Sequence, residues 1–201
     1  MHRGLRSRAS CYALAQMATA TAVPPPDDDG APWSMQRLAL DEVQLCALAE
    51  RLGAALCAGD VVLLVGEMGA GKTTFTRALA RGLGVARPDR VCSPTFNVRI
   101  EHRGPIPLVH VDLCRLVELG GDDESEGPSA AFEALGLDDW PMAGDAGSAL
   151  VVEWADAWQK PPADHLRITL TPCRDAPDRR DVAMTGRGRP VIAADAAVRA
   201  V

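Results

Sequence analysis

The sequence predicts an α/β domain in which a mixed, mostly parallel central sheet is flanked by helices, with a phosphate-binding loop at the head of one helix. Three observations carry that prediction. Residues 66–73 read Gly66, Glu67, Met68, Gly69, Ala70, Gly71, Lys72, Thr73, a Gly-x-x-x-x-Gly-Lys-Thr loop whose glycines let backbone N–H groups close on a phosphate chain. Before it, Asp60, Val61, Val62, Leu63, Leu64 and Val65 make the short apolar run of a buried parallel strand. After it, Phe75, Leu79 and Leu83 recur at helical spacing, no proline interrupts the stretch, and Gly82 and Gly84 supply stop signals. The three together read as a single P-loop NTPase-like domain. Phosphates would lie on a helix N-terminus, where the dipole and unpaired N–H groups favour negative charge. Lys72 would reach the outer phosphates, and the Thr73 hydroxyl suits magnesium.

Each element follows in order. Residues 1–34 read as a disordered extension: Arg3, Arg6 and Arg8 precede an alanine-rich patch, and Pro24 to Pro26 with Asp27 to Asp29 make a linker. Gln16, Thr19 and Thr21 interrupt the apolar core that a signal peptide needs; a start codon set too early, with Met35 as the true start, is the other reading. The P-loop domain is expected over 35–186. It opens with a short strand ending near Leu40, then a helix with Asp41 and Glu42 in its first turn and an apolar face of Val43, Leu45, Leu48, Leu52 and Leu56, stopped by Gly59. Past the loop and its helix, residues 91–100 read as a turn entering a strand, and Gly104 with Pro105 marks the next turn. Strands are expected at 108–112, 149–153, 165–171 and 181–185, an acidic loop at 120–127, a short helix at 130–135, and a flexible tail over 187–201.

Composition bounds the function. A chain of 201 residues with 47% apolar content has room for one full hydrophobic core. Its net charge of -6 and pI near 5.2 leave no basic field to hold DNA or RNA by counterion release, so any RNA role is indirect. Cys11, Cys46, Cys57, Cys92, Cys114 and Cys173 are scattered, with no Cys-x-x-Cys pair and no histidine at zinc-ligand spacing. They read as reduced thiols of a cytoplasmic protein, with Cys46 and Cys57 packing as small apolar residues in a helical segment. No run of about eighteen apolar residues offers a membrane span.

A phosphate loop holds a nucleotide; hydrolysis needs carboxylates and hydroxyls to complete a magnesium site and place water. Asp112 and Glu153 each end an apolar strand, where the carboxyl ends of parallel strands converge on a ligand. The plainer reading of each is a strand-end cap or a surface ion pair. In Ser93-Pro94-Thr95 the proline pushes the preceding residue to extended geometry and fixes where Thr95 points. That turn either senses a terminal phosphate or simply precedes a strand. His110, on the strand that ends at Asp112, reads as a core residue.

The order of these pieces is selective: Gly-Glu-Met-Gly-Ala-Gly-Lys-Thr-Thr, then Ser-Pro-Thr-Phe, then His110-Val111-Asp112-Leu113-Cys114-Arg115-Leu116, then Val152-Glu153-Trp154. The series closely resembles the TsaE (formerly YjeE) family, the bacterial ATPase that supports threonylcarbamoyladenosine formation in tRNA. The resemblance spans roughly residues 35–184. It implies that Gly69, Ala70, Gly71, Lys72, Thr73 and Thr74 bind the phosphates of ATP, that Thr73 and Glu153 coordinate Mg2+, and that Asp112 sits at or near that metal. It places Thr95 in a switch-like segment and Trp154 beside the nucleotide, where the indole either packs on adenosine or fills core. Asp41, Glu42 and Arg180 align only loosely with positions near the nucleotide. The implied activity is slow, partner-dependent ATP hydrolysis by Lys72, Asp112 and Glu153, acting on a TsaD-TsaB-type transferase complex that itself handles the tRNA. The sequence departs from the family in having Cys114 where a tyrosine is usual, and Ala155 then Asp156 after Glu-Trp. Two alternatives stay open: a small-molecule P-loop kinase, although no arginine-rich lid stands out, and a nucleotide-gated adaptor in which binding alone orders the Thr95 segment.

Overall fold

The computed structural model describes residues 33–94, 97–115, 135–137, 140, 147–191 and 194–195. In chain order the elements are β1 (Trp33–Leu40), α1 (Glu42–Ala55), β2 (Val61–Val65), α2 (Lys72–Gly82), β3 (Arg99–His102), β4 (Leu108–Asp112), β5 (Ala149–Glu153), β6 (Leu166–Cys173) and β7 (Ala176–Gly186). The strands form one sheet in the order β1-β7-β6-β2-β5-β4-β3. The four central strands β6, β2, β5 and β4 are parallel, and antiparallel strands close both edges. The sheet is thus mixed and mostly parallel, as expected.

Burial on both faces explains the unbroken apolar runs of the central strands. On one face Val62, Leu64, Val151 and Ile168 pack with Leu48 and Leu52 of α1 and Phe75 and Leu79 of α2. On the other, Val61, Leu63, Val109, Val111, Leu150 and Val152 pack with Trp140 and Trp158. Period-two alternation therefore turns His110, Asp112 and Glu153 toward the helices, while Val109, Val111 and Val152 turn away. Each fully buried leucine contributes about 1.5–3 kcal/mol.

Asp41 starts α1 through a capping box: its Oδ1 accepts from Gln44 N at 2.9 Å, and Gln44 Oε1 accepts from Asp41 N at 3.0 Å. The helix buries Leu45, Leu48, Ala49, Leu52 and Gly53. Val43, expected on that face, is 79% exposed, because residues two apart on a helix point away from each other. Cys46 is half-buried on α1, but the buried Cys57 lies past its end.

α2 ends at Gly82, as expected, with Gly84 following at φ 82, and Gly82 also serves the packing of the two helices. A Cβ there would lie 1.8 Å from Glu50 O, and one on Gly53 would lie 2.0 Å from Leu79 O. Backbone meets backbone at both points, so neither neighbour can swing aside. Gly82→Ala is expected to force α1 and α2 apart and lower stability by about 2–3 kcal/mol, read as a shift in the urea midpoint. A loss below about 0.5 kcal/mol, the range of ordinary surface changes, would show that the helices separate freely.

β7 begins at Ala176 rather than 181. Its early residues pair with β6 but are exposed and charged, so they carry no apolar alternation for sequence reading to find. The expected flexible tail over 187–201 is, at its start, anchored: Arg187 N donates to His165 O at 3.1 Å, Arg189 forms an ion pair with buried Asp60, and Val191 and Ala194 join the core. The sheet itself begins at Trp33 rather than 35. The amino-terminal extension before it, the acidic loop 120–127, the helix expected before Leu135 and Thr95 lie outside the described residues.

Candidate nucleotide site

After β5 the chain crosses β2 to form β6 on its far side, so β2 sits at a switch point with its carboxyl end open to a ligand. Register aligns the contributors there. Leu64 of β2 pairs with Glu153 of β5, and Glu153 pairs with Asp112 of β4. The loop that follows Val65 therefore runs past two strand-end carboxylates.

The loop is shaped by its glycines and clamped from outside. A Cβ on Gly66 would lie 2.5 Å from Leu170 O, and Gly71 starts α2 at φ 102, in the left-handed region. No side chain caps α2 and no acid stands in its first turn, which leaves the leading N–H groups available to an anion. Arg180 donates from Nε to Ala70 O at 2.9 Å and from Nη2 to Gly69 O at 3.1 Å. It thus grips the outer carbonyls of the loop. Asp41 is spent on the α1 cap, and Glu42 is exposed in the first turn of that helix. Buried Ala70 and half-buried Thr74 stand in the loop and the first turn of α2.

Lys72 is 6% exposed and folds back over the loop, with Nζ donating to Gly66 O at 2.6 Å and Glu67 O at 2.9 Å. Its ammonium also lies 3.9 Å from the centroid of the Trp154 ring, within cation–π range. Burial pulls its pKa below the ordinary lysine value, opposed by the charges of Glu153 and Asp112. Trp154 reaches this position by adopting φ 57, ψ 38, a left-handed conformation, directly after β5. A non-glycine residue there costs about 1–2 kcal/mol, and the kink leaves the half-buried indole both against the hydrophobic cluster of Val152 and Trp158 and under the Lys72 ammonium.

Glu153 is 1% exposed, and among the described residues three polar side chains surround its carboxyl group. Thr73 Oγ1 donates to Oε2 at 2.8 Å, Thr76 Oγ1 lies 3.1 Å from Oε1, and His110 Nε2 lies 2.8 Å from Oε1. Asp112 Oδ1 accepts from Cys114 N at 2.8 Å, and Oδ2 accepts from Ser93 Oγ. Ser93 thus ties the turn before Thr95 to the end of β4. Of the expected site residues, the structure brings together the loop, Lys72, Thr73, Glu153 and Trp154, aligns Asp112 beside Glu153, and sets Arg180 on the loop's outer side.

Sequence reading missed Thr76 and the contact of His110 with Glu153. Thr76 falls one turn after Lys72 and Thr73, a spacing that marks the same helix face. His110 shares the Asp112 face by alternation, but its contact depends on β5 inserting beside β4, which local sequence does not encode.

A hydroxyl and two carboxylates are hard oxygen donors of the kind magnesium takes, with water and substrate phosphates completing its shell. Among the described residues no cluster of three or more His, Cys, Asp or Glu side chains is arranged to hold a metal. Magnesium shared with a phosphate chain needs none. The residues present therefore fit a magnesium nucleotide.

Strand, glycine loop and helix at the carboxyl end of a parallel sheet define the P-loop class of α/β domain. The family model described as Threonylcarbamoyl adenosine biosynthesis protein TsaE matches residues 40–182, and the chain belongs to that family. It is similar to the tRNA threonylcarbamoyladenosine biosynthesis protein TsaE of Streptomyces coelicolor, 41% identical over 160 residues that cover 76% of this chain and 97% of the relative. It is also similar to the protein of the same name from Bacillus subtilis, 38% identical over 71% of this chain and 79% of the relative. The crystal structure of Bacillus subtilis YdiB shares the fold, with a TM-score of 0.58 at 24% identity, covering 85% of this chain and 97% of that one. Among the described residues no helix is long and apolar enough to cross a membrane.

Proposed function

We propose that this chain binds Mg-ATP at the carboxyl end of β2, hydrolyses it slowly, and uses the cycle to drive a TsaD-TsaB-type transferase complex in tRNA threonylcarbamoyladenosine formation. The observation that carries this reading is the convergence of Lys72, Thr73, Glu153 and Asp112 on the N-terminus of α2 in a member of the TsaE family. Chemistry on the tRNA belongs to the partner, in keeping with the net charge of -6 on this chain. The same reading places it in the cytoplasm.

The loop N–H groups of residues 69–74 hold the phosphates. Lys72 exchanges the carbonyls of Gly66 and Glu67 for the outer phosphates and neutralises charge as the phosphoryl group transfers. Thr73 and Glu153 would hold magnesium, which when bound would supply further neutralisation of the phosphate oxygens. Asp112, beside Glu153, orients the attacking water. Trp154, released from the Lys72 ammonium, borders the nucleoside. The Ser93 contact with Asp112 ties that carboxylate to the Ser93-Pro94 segment.

The test is multiple-turnover formation of threonylcarbamoyladenosine by the purified chain with the transferase complex and tRNA. ATP is expected to sustain many turnovers and a non-hydrolysable analogue no more than one per complex. Full turnover with the analogue would establish the adaptor instead. Phosphate recovered on a nucleoside acceptor would establish a kinase.

A further inference from the structure

Glu153 has two carboxylate oxygens with different duties, and the structure assigns His110 as the positioning residue that separates them. We propose that the His110 Nε2–H holds Oε1 of Glu153, so that Oε2 alone is presented with Thr73 to the magnesium of a bound nucleotide. This rests on the Mg-ATP reading above.

The geometry is specific. His110 is fully buried and its Nε2 lies 2.8 Å from Oε1. A carboxylate that serves magnesium has no hydrogen to give, so in that role Glu153 requires Nε2 to carry the N–H in that contact. Thr76, the other group near Oε1, has one hydroxyl hydrogen and two acceptors, Lys72 O at 3.0 Å and Oε1 at 3.1 Å. Its donation is divided between the helix backbone and the carboxylate. His110 is therefore the dedicated donor at Oε1. Among the described residues Thr73 alone donates to Oε2, and its hydroxyl is the one that a magnesium nucleotide takes over in this loop type. With Thr73 so engaged, Oε2 would be left without its donor and free to serve the metal, while Oε1 would stay held by His110.

A second observation separates this from ordinary core packing. Among the described residues Nδ1 of His110 is buried with no hydrogen-bond partner, and Nε2 of its neighbour His102, 6.0 Å away between ring centroids, is also without one. An unsatisfied buried acceptor costs free energy that an apolar side chain of the same shape avoids. An imidazole at that site is a poor choice for stability alone, and its one satisfied nitrogen is the one aimed at Glu153. Outer partners of this kind fix the orientation of metal-binding groups.

The experiment measures ADP binding by calorimetry across a magnesium titration, in the wild type, His110→Phe and His110→Gln. His110→Phe is expected to raise the half-saturating magnesium concentration at least tenfold and to leave ADP affinity without magnesium within twofold. His110→Gln returns an N–H donor near the Nε2 position and is expected to recover most of the shift. Should His110→Phe fail to fold, the unmodified protein still decides: nitrogen-15 long-range spectra are expected to show His110 protonated on Nε2 with and without Mg-ADP. An Nδ1–H tautomer, or wild-type magnesium dependence in folded His110→Phe, overturns the assignment. A wild type that binds ADP with no magnesium dependence overturns instead the Mg-ATP reading on which it rests.

Discussion

Lys72→Ala is expected to lower the rate of magnesium-dependent phosphate release by on the order of 10²–10³-fold, the loss typical when one preorganised donor to developing charge is removed. The lysine sits at the first position of α2, its ammonium 2.6 Å from Gly66 O and 3.9 Å from the Trp154 ring centroid. It is already folded over the loop, on the carbonyls of Gly66 and Glu67. Burial works against its charged form in the fold, which offsets what its bonds to Gly66 O and Glu67 O contribute. The thermal midpoint of the variant without nucleotide should therefore stay within a few degrees of the wild type. Phosphate release near the wild-type rate would show that Lys72 takes no part in phosphoryl transfer. A large drop in the midpoint would show that its bonds to the loop carbonyls chiefly hold the fold.

The parts of this site that sequence made legible share one property: their chemistry is written in consecutive residues. The glycine loop between an apolar run and a helical repeat, and the two apolar runs ending in Asp112 and Glu153, are local patterns, and β4 and β5 start and end where those runs do. What stayed hidden depends on residues far apart in the chain. Arg180 meets Gly69 and Ala70 across 111 and 110 residues, through a charged stretch of β7 that exposure leaves without an apolar signature. Its guanidinium is assigned by topology, because β7 pairs with β6 and β6 with β2, the strand that feeds the loop. Gly82 reads as a helix stop because glycine commonly ends helices, and α2 does end there; only the crossing of α1 over α2 shows that the missing Cβ matters as well. Asp41, aligned loosely with the nucleotide, proved to be the acceptor in a capping box, a role its spacing to Gln44 already permitted.

Glu153→Gln is expected to separate stability from function. The carboxylate is 1% exposed and carries a charge that burial disfavours, offset by donors from Thr73, Thr76 and His110. Glutamine keeps the volume and an acceptor oxygen for His110, and its amide can donate to the Thr73 hydroxyl, which rotates to accept. The fold loses a buried charge and little else, so the thermal midpoint without ligand should equal or exceed that of the wild type. Magnesium-dependent phosphate release should fall by on the order of 10²–10³-fold, because the amide cannot offer the metal a charged oxygen. Affinity for ADP without magnesium should stay close to wild type, since the loop N–H groups are untouched. A midpoint lowered by several degrees with activity intact would make Glu153 a strand-end anchor for α2 and leave the magnesium to Asp112. The opposite pair of changes is what a residue selected for the metal rather than for the fold must show, and it is the usual cost of placing function in a buried site.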